Sequence, residues 1–325
     1  LNADLSGMLL RLAHWGDPDP FKLTWLDPPQ KGIVDGALLS LRALKFLNEH
    51  GHLTSDGQAA VRLPLSPRLA KLVLTGRDES ERALGARIAA LLSEQGLGGN
   101  DINLTHRVDT FDRAGSQRAK SMKTKAQDWA GTKSVPKGDI SKLLAKAWPD
   151  QIAKRRDKAT DRYQLSGGGG VKLPENSSLQ NHDWLVVCET GGQFKGEAIV
   201  RLACPIDEAT AKLALPENTH DYAEYDATSG TVKARRQKRI GGIVLSETPL
   251  KKPDNKSCAE AICRAVKSDG LRILPGWEAF SRYLHRARYA ASQHASDWPE
   301  TSEAGLINTL YDWLYPAIEL SGLST

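Results

Sequence analysis

Five cations fall within seven residues at Lys233-Ala234-Arg235-Arg236-Gln237-Lys238-Arg239, with no acid between them. A second group, Lys154-Arg155-Arg156 followed by Lys158 and Arg162, puts five more into nine residues. Ammonium and guanidinium groups at this density neutralise phosphates, which releases counterions and makes binding steeply salt-dependent. If 233–239 is a strand, alternation places Lys233, Arg235 and Arg239 on one face and Arg236 and Lys238 on the other. Two charged faces cannot both be buried without a large desolvation cost, so the segment is expected to be exposed or to face a polyanion. Cations closing a helix are favoured by its dipole, and 154–156 is read as such a helix end. Three in a row, continued by two more, exceed that need. From Arg113 to Arg162 there are fourteen cations against five acids, an excess of nine in a chain whose net charge is +5. A basic zone on an otherwise acidic chain is the footprint of a polyanion partner, or else a solvated basic surface.

Other candidate chemistry reads as absent. There is no Gly-x-x-x-x-Gly-Lys-Ser/Thr phosphate loop. Gly131-Thr132-Lys133-Ser134 has only the tail of one, and Gly167 to Gly170 reads as a hairpin tip, because no helix N-terminus follows it. Asp207-Glu208-Ala209-Thr210 has the outline of a metal-coordinating acidic box. Without a phosphate loop it reads as a helix start, where acids complement the dipole. His50-Gly51-His52 offers two ligands on a loop, too few without a third. Cys188 and Cys204 sit in apolar runs and read as buried reduced thiols of a cytosolic protein, and these two with Cys258 and Cys263 are not expected to form a metal site. We therefore expect no catalytic residue, metal or cofactor. Tyr163, Trp184, Phe194, Tyr222 and Tyr225 are the aromatics available for base stacking, but Trp184 heads an apolar strand and is expected in the core. Contacts to the phosphate backbone, with little sequence preference, are the expectation.

Four zones must position these residues. Ala3 to Trp15 carries a helical stripe ended by Gly16-Asp17-Pro18-Asp19-Pro20. A second helix is expected from Lys31 to Glu49, and a small hairpin from His52 to Leu65 with a turn at Asp56-Gly57. Two helices and a hairpin outline a winged helix. Helices are expected over 79–95, 104–114, 116–130 and 140–154, a bundle of about four. Strand-like runs then dominate: 162–165, 171–173, 184–189, 198–203, 221–225, 231–235 and 240–246, interrupted by one helix over 207–215. They suggest one small barrel of the OB type. Lys251 to Asn255, with Pro253, reads as a linker, and helices over 258–269, 277–293 and 304–320 end the chain. The fold class expected is α+β multidomain: winged helix over 1–76, helical bundle over 77–158, OB-like barrel over 159–252 and helical segment over 253–325.

A length of 325 residues suits two or three domains, and 40% hydrophobic content supports ordinary cores. No apolar run approaches the ~18–20 residues of a membrane helix. The first residues have no basic stretch leading into an apolar one, so they are not expected to be a signal peptide. They are expected to be a cut within a longer chain.

The order winged helix, bundle, barrel resembles the part of DEAH-type RNA helicases that follows the motor domains. Leu53-Thr54-Ser55-Asp56-Gly57, leading to Leu63-Pro64-Leu65-Ser66-Pro67-Arg68-Leu69-Ala70-Lys71, resembles that family's winged-helix signature, and Leu26-Asp27-Pro28-Pro29 its "LDPP" loop. Ala145 to Arg156, Trp184 to Val187 and Gly241 to Leu250 are similar to the bacterial HrpB subfamily in particular. Ala3-Asp4-Leu5 resembles the junction after the second RecA-like motor domain.

The resemblance implies an accessory half whose bundle acts as a ratchet. With the barrel, it closes over single-stranded RNA, or DNA, held on the motor domains of the same parent chain. ATP and Mg would belong to those motor domains, and the parent would be an ATP-dependent RNA helicase, a monomer in the cytoplasm without membrane contact. Nothing in the residues assigns a task to Cys258–Thr325. The alternative is a protein-interaction scaffold that docks partners through the winged helix and the terminal helices, with Trp298, Trp313 and Tyr315 as anchors.

Overall fold

A computed structural model describes residues 4–17, 19–158, 160–194, 196–250, 254–293 and 301–321. Ala3, Pro18, Trp298 and the linker residues Lys251 to Pro253 lie outside the described residues. The chain divides into two compact units, one of residues 1–217 with 240–243 and one of 218–239 with 244–325. The class is α+β.

The first unit opens with α1 (Ser6–Trp15), α2 (Lys31–Ala43), α3 (Ser55–Val61) and α4 (Pro67–Leu74). Leu9, Leu41, Leu44 and Phe46 are fully buried among them. Two expectations are corrected here. The second helix stops at Ala43 rather than Glu49, because Lys45 takes a left-handed φ of 59° and turns Phe46 into the core. The hairpin expected over 52–65 is a helix, α3, and only an isolated bridge pairs Leu47 with Leu53. Asp56-Gly57 was legible as a turn, but Thr54 Oγ1 accepts from Gly57 N at 3.0 Å, which is an N-cap. Gly57 is glycine for closeness: a Cβ there would lie 2.3 Å from the Phe46 carbonyl oxygen.

The bundle is α5 (Glu79–Ser93), α6 (Leu104–Arg113), α7 (Gln117–Ala130) and α8 (Ile140–Ala147). Asp78, Asn103, Ser116 and Asp139 cap their N-termini with side-chain oxygens. Gly131 closes α7, so the phosphate-loop look-alike is a helix C-cap. The helix expected to run on to Lys154 ends at Ala147. Pro149 disfavours helical backbone at Trp148, and the chain leaves through a 3-10 turn into a strand. Lys154-Arg155-Arg156 therefore does not close a helix.

The barrel consists of β1 (Ile152–Arg155), β2 (Arg162–Leu165), β3 (Gly170–Lys172), β4 (Trp184–Phe194) and β5 (Glu197–Ile206). It closes in the order β1-β2-β3-β5-β4, with β3 parallel to β5 and β1 antiparallel to β4. Tyr163, Val171, Leu173, Leu185, Val187 and Val200 fill it. Of the tip expected over Gly167 to Gly170, Gly167 to Gly169 connect β2 to β3, while Gly170 is already the first residue of β3. α9 (Glu208–Ala214) follows; Asp207 caps it by accepting from Thr210 N at 2.7 Å, so the acidic box is a helix start. Arg68 on α4 grips Asp150, just ahead of β1, through Nη1 at 2.7 Å and Nη2 at 2.8 Å.

The second unit holds β6 (Glu217–Asp226), β7 (Thr231–Ile240) and β8 (Ile243–Pro249), a separate three-stranded sheet in the order β6-β7-β8. The strands expected to share one barrel over 159–252 thus form two sheets. The barrel ends at Ile206, and the later strands pack with α10 (Asn255–Asp269), α11 (Trp277–Gln293), α12 (Glu303–Asn308) and α13 (Leu310–Ser321). Ala223, Tyr225 and Val232 share a core with Cys258, Ile262, Cys263, Leu284 and Leu310. Arg264 Nη2 donates to the Ala223 carbonyl at 2.9 Å and Tyr225 Oη to the Ile273 carbonyl at 3.2 Å. The single helix expected over 304–320 is interrupted at Thr309. Trp313 and Tyr315 pack against this core, and Trp313 Nε1 donates to the Leu306 carbonyl, so these two rings hold the unit together rather than stand out as anchors.

Candidate nucleic-acid interface

The pleat decides which cations of the first group face outward. Ala153, Tyr163, Leu165 and Val171 point into the barrel, so Lys154, Arg162, Gln164 and Lys172 point out. Register brings them together: Lys154 pairs with Gln164, and Arg162 pairs with Lys172. Arg156 sits beside Arg162, its backbone N–H donating to the Arg162 carbonyl at 3.0 Å. Its Nη2 donates to Gln164 Oε1 at 3.0 Å. Two rings lie under the outer lysines, with Lys154 Nζ 5.5 Å from the Trp184 centroid and Lys172 Nζ 4.4 Å from that of Phe194.

Among the described residues, one carboxylate pairs with the outward arginines of this face. Glu197 lies 3.1 Å from Arg156 Nη1 and 3.3 Å from Arg162 Nε. With Lys154 and Lys172 beside these two arginines, cations outnumber the acid and leave an electropositive outer face on β1–β3, where guanidinium forks suit phosphate oxygens.

Arg155 is placed differently. Its side chain is only 10% exposed. Nη2 donates to Tyr163 Oη at 2.8 Å and to the His182 carbonyl at 3.1 Å, and Asp183 is 3.7 Å from Nε. Burial raises the Tyr163 hydroxyl above its ordinary pKa, against the opposing pull of Arg155. Arg155 thus holds the barrel end together rather than presenting itself to a ligand. Lys158 is exposed on the β1–β2 connection.

The second group lies on β7, where neighbouring strands supply acids the local sequence lacks. Lys233 Nζ meets Asp226 at 2.6 Å, Arg235 meets Glu247 at 2.7 Å, and Arg236 grips Asp221 at 2.7 and 2.9 Å. Arg239 donates to Gln237 Oε1, and Gln237 donates in turn to Glu247. Hydrogen bonds from Lys233, then from Thr228 and Ser229, hold the Asp226 carboxyl far below the usual carboxylate range. Side-chain hydrogen bonds from Arg236 likewise lower Asp221. Lys238 is exposed on the same strand. The barrel face therefore keeps an excess of positive charge, whereas the β7 cations largely face partner carboxylates.

Sequence reasoning missed Lys172, Gln164 and Glu197 as members of the face. The strand segments were legible, but their register was not, and register alone sets Lys172 beside Arg162. Burial pushes the Cys188 thiol well above its ordinary pKa and Cys204 to about 11, which keeps both in the protonated form.

The comparisons follow the same division. A model of the connector region of the ATP-dependent RNA helicase HrpB matches residues 218–250, the stretch that carries β6–β8. ATP-dependent RNA helicase HrpB of Escherichia coli strain K12 is 31% identical over 327 residues, covering 97% of this chain and 39% of that protein. Over nearly its whole length, then, the chain is similar to HrpB. Solved HrpB structures agree. The crystal structure of the E. coli DExH-box NTPase HrpB superposes with a TM-score of 0.70 at 28% identity, over 99% of this chain and 40% of that one. That of the Escherichia coli DEAH/RHA helicase HrpB gives a TM-score of 0.72 at 28% identity, with the same coverages of 99% and 40%. The chain thus spans about two fifths of the length of its HrpB relatives, and the face on β1–β3 and the paired cations of β7 both lie within the shared region. No helix among the described residues is long and apolar enough to cross a membrane.

Proposed function

We propose that this chain is the strand-holding part of an HrpB-type ATP-dependent RNA helicase, and that it binds single-stranded RNA through its phosphates. The observation that carries the proposal is the outer face of β1–β3, where register gathers Lys154, Arg156, Arg162 and Lys172 while Glu197 engages only the two arginines. The barrel's order, closing β4 on β1 with β3 parallel to β5, fits the OB type, whose second and third strands carry oligonucleotides. The β7 cations form a second patch on this reading, where incoming phosphates replace Asp221, Asp226 and Glu247 as partners.

The finer architecture belongs to the same proposal. The helices of 1–76 act as a winged helix, those of 77–158 as a ratchet, and closure of the motor domains on the barrel steps the strand. ATP and Mg bind those motor domains, and the parent protein works as a monomer in the cytoplasm. The HrpB relatives support the helicase reading by name, and the excess of cations on the barrel supports the backbone-contact mode.

Filter binding of the 325-residue chain to single-stranded RNA across a salt series tests the proposal. Affinity that falls linearly on a log–log plot supports it. Absence of binding at low salt, or affinity indifferent to salt, refutes it.

A further inference from the structure

α11 carries a surface that the barrel and β7 do not account for. Its inner side is anchored by Trp277 and Leu284, both buried in the second unit's core. Its outer side presents Phe280, Tyr283 and Tyr289, which are 43%, 64% and 71% exposed. Burying such rings away from water is favourable, so three left exposed over about half of one helix's circumference require a reason. The rings are already ordered in series. Trp277 and Phe280 lie 5.8 Å apart between centroids, and Phe280 stacks on Tyr283 at 6.4 Å with planes 22° apart.

The cations among them narrow the partner. At about 100° per residue, Arg282 and Arg286 project between Tyr289 on one side and Tyr283 with Phe280 on the other. Both arginines are exposed, as is His285 beside them. Among the described residues neither arginine has a carboxylate partner, in contrast to Arg235 and Arg236 on β7. The one acid on the arc, Glu278, sits in the helix's first turn, where the dipole accounts for it. Apart from Ala279, no aliphatic side chain is exposed on this arc. A helix face that docks into a protein groove presents aliphatic anchors at i, i+3, i+4 and i+7. This face instead offers flat rings with unpaired guanidinium groups between them, the combination that stacks bases and tracks the backbone of a single strand.

We infer that the outer face of α11 is a base-stacking platform for single-stranded RNA, with Tyr283 and Tyr289 as the stacking rings and Arg282 and Arg286 as the phosphate contacts. The inference rests on the RNA-binding reading above and adds to it a site where bases, rather than phosphates alone, are held. It also gives the terminal segment a task.

The test compares a short oligoadenylate with an abasic strand of equal length, both bound to the complete chain. Tyr283→Ala with Tyr289→Ala weakens oligoadenylate binding by roughly tenfold per ring and leaves the abasic strand unaffected. The two Tyr→Phe replacements keep wild-type affinity. Arg282→Ala with Arg286→Ala weakens both strands and flattens the log–log salt slope by about 1.4. These side chains are exposed, so circular dichroism of the variants should match wild type. Oligoadenylate affinity that neither pair changes, in a chain that still binds RNA, overturns the platform and leaves the phosphate-binding reading standing. Loss of binding to phosphatidylserine vesicles in the same variants, with RNA binding intact, assigns the face to a membrane instead and also overturns it. A chain that binds neither strand overturns the platform and the RNA-binding reading together.

Discussion

Arg68 and Asp150 form a two-pronged ion pair that ties α4 to the entrance of the barrel, at 2.7 and 2.8 Å. Arg68 Nη1 also donates to the Ala147 carbonyl at the end of α8, at 3.3 Å. The Asp150 carbonyl accepts from Gly167 N in the β2–β3 tip at 2.8 Å. Arg68 thus ties α4 to the α8–β1 connection, and the Asp150 backbone extends that tie to the β2–β3 tip. The pair is partly buried, with side-chain exposures of 21% and 32%. Removing one partner leaves a half-desolvated charge behind. Arg68→Ala is expected to cost about 2 kcal/mol, below the ~3–5 kcal/mol of a fully buried pair. Arg68→Lys keeps the charge but loses the fork and should cost about 1 kcal/mol. Urea-unfolding midpoints measure both, and equal midpoints for wild type and Arg68→Ala would refute the tie.

The same pair gives a pH signature. Burial alone would raise the Asp150 carboxyl, but the hydrogen bonds and charge of Arg68 outweigh it and leave the carboxyl below its ordinary range. A depressed carboxylate contributes stability above its unfolded pKa of about 3.9, and that contribution is lost as pH falls through the folded value. The stability difference between wild type and Asp150→Asn should therefore be constant near neutrality and shrink below about pH 4. A difference that stays constant into acid would show that the carboxylate is not held this way.

Glu197 sets how open the barrel face is to phosphate. It engages both Arg156 and Arg162, so a bound phosphate must compete with it. Glu197→Gln removes the competing charge at similar size. Affinity for single-stranded RNA should rise several-fold, since one charge-assisted contact amounts to about 1–2 kcal/mol. Fluorescence anisotropy with a labelled strand reads this directly. Unchanged or weakened binding would contradict the placement of phosphates on this face.

The crossing of α4 and α5 depends on a missing side chain. A Cβ on Gly85 would fall 2.1 Å from the Leu72 carbonyl oxygen, a backbone atom that cannot swing away. Gly85→Ala should cost about 1–3 kcal/mol through overpacking, despite alanine's better helix propensity. A thermal midpoint equal to wild type would show that the helices separate freely.

Local pattern made much of this molecule legible before the structure. The β2 segment at Arg162–Leu165 and the α11 segment at Trp277–Gln293 were read at their observed bounds, because alternation and helical periodicity are properties of neighbouring residues. The misreadings arose where distant partners decide. Residues 152–155 look like the end of a helix rich in cations, yet β2 and β4 pair with them on both sides. Asp56-Gly57 looks like a turn, yet the glycine is needed for the approach of Phe46. The β7 cations look unopposed because Asp221, Asp226 and Glu247 arrive from elsewhere in the chain. Lys172 was invisible as a site residue for the same reason, since only register sets it beside Arg162.

If RNA phosphates lie on the outer face of β1–β3, the salt slope of binding must depend on that face's cations. Each neutralised phosphate contributes about 0.7 to the log–log slope for a single strand. Replacing Lys154, Arg156, Arg162 and Lys172 together by Gln should flatten the slope of the complete chain by about 3 and weaken low-salt binding accordingly. A slope and affinity equal to wild type in that variant, with its fold intact by circular dichroism, would mean that the phosphates do not lie on this face.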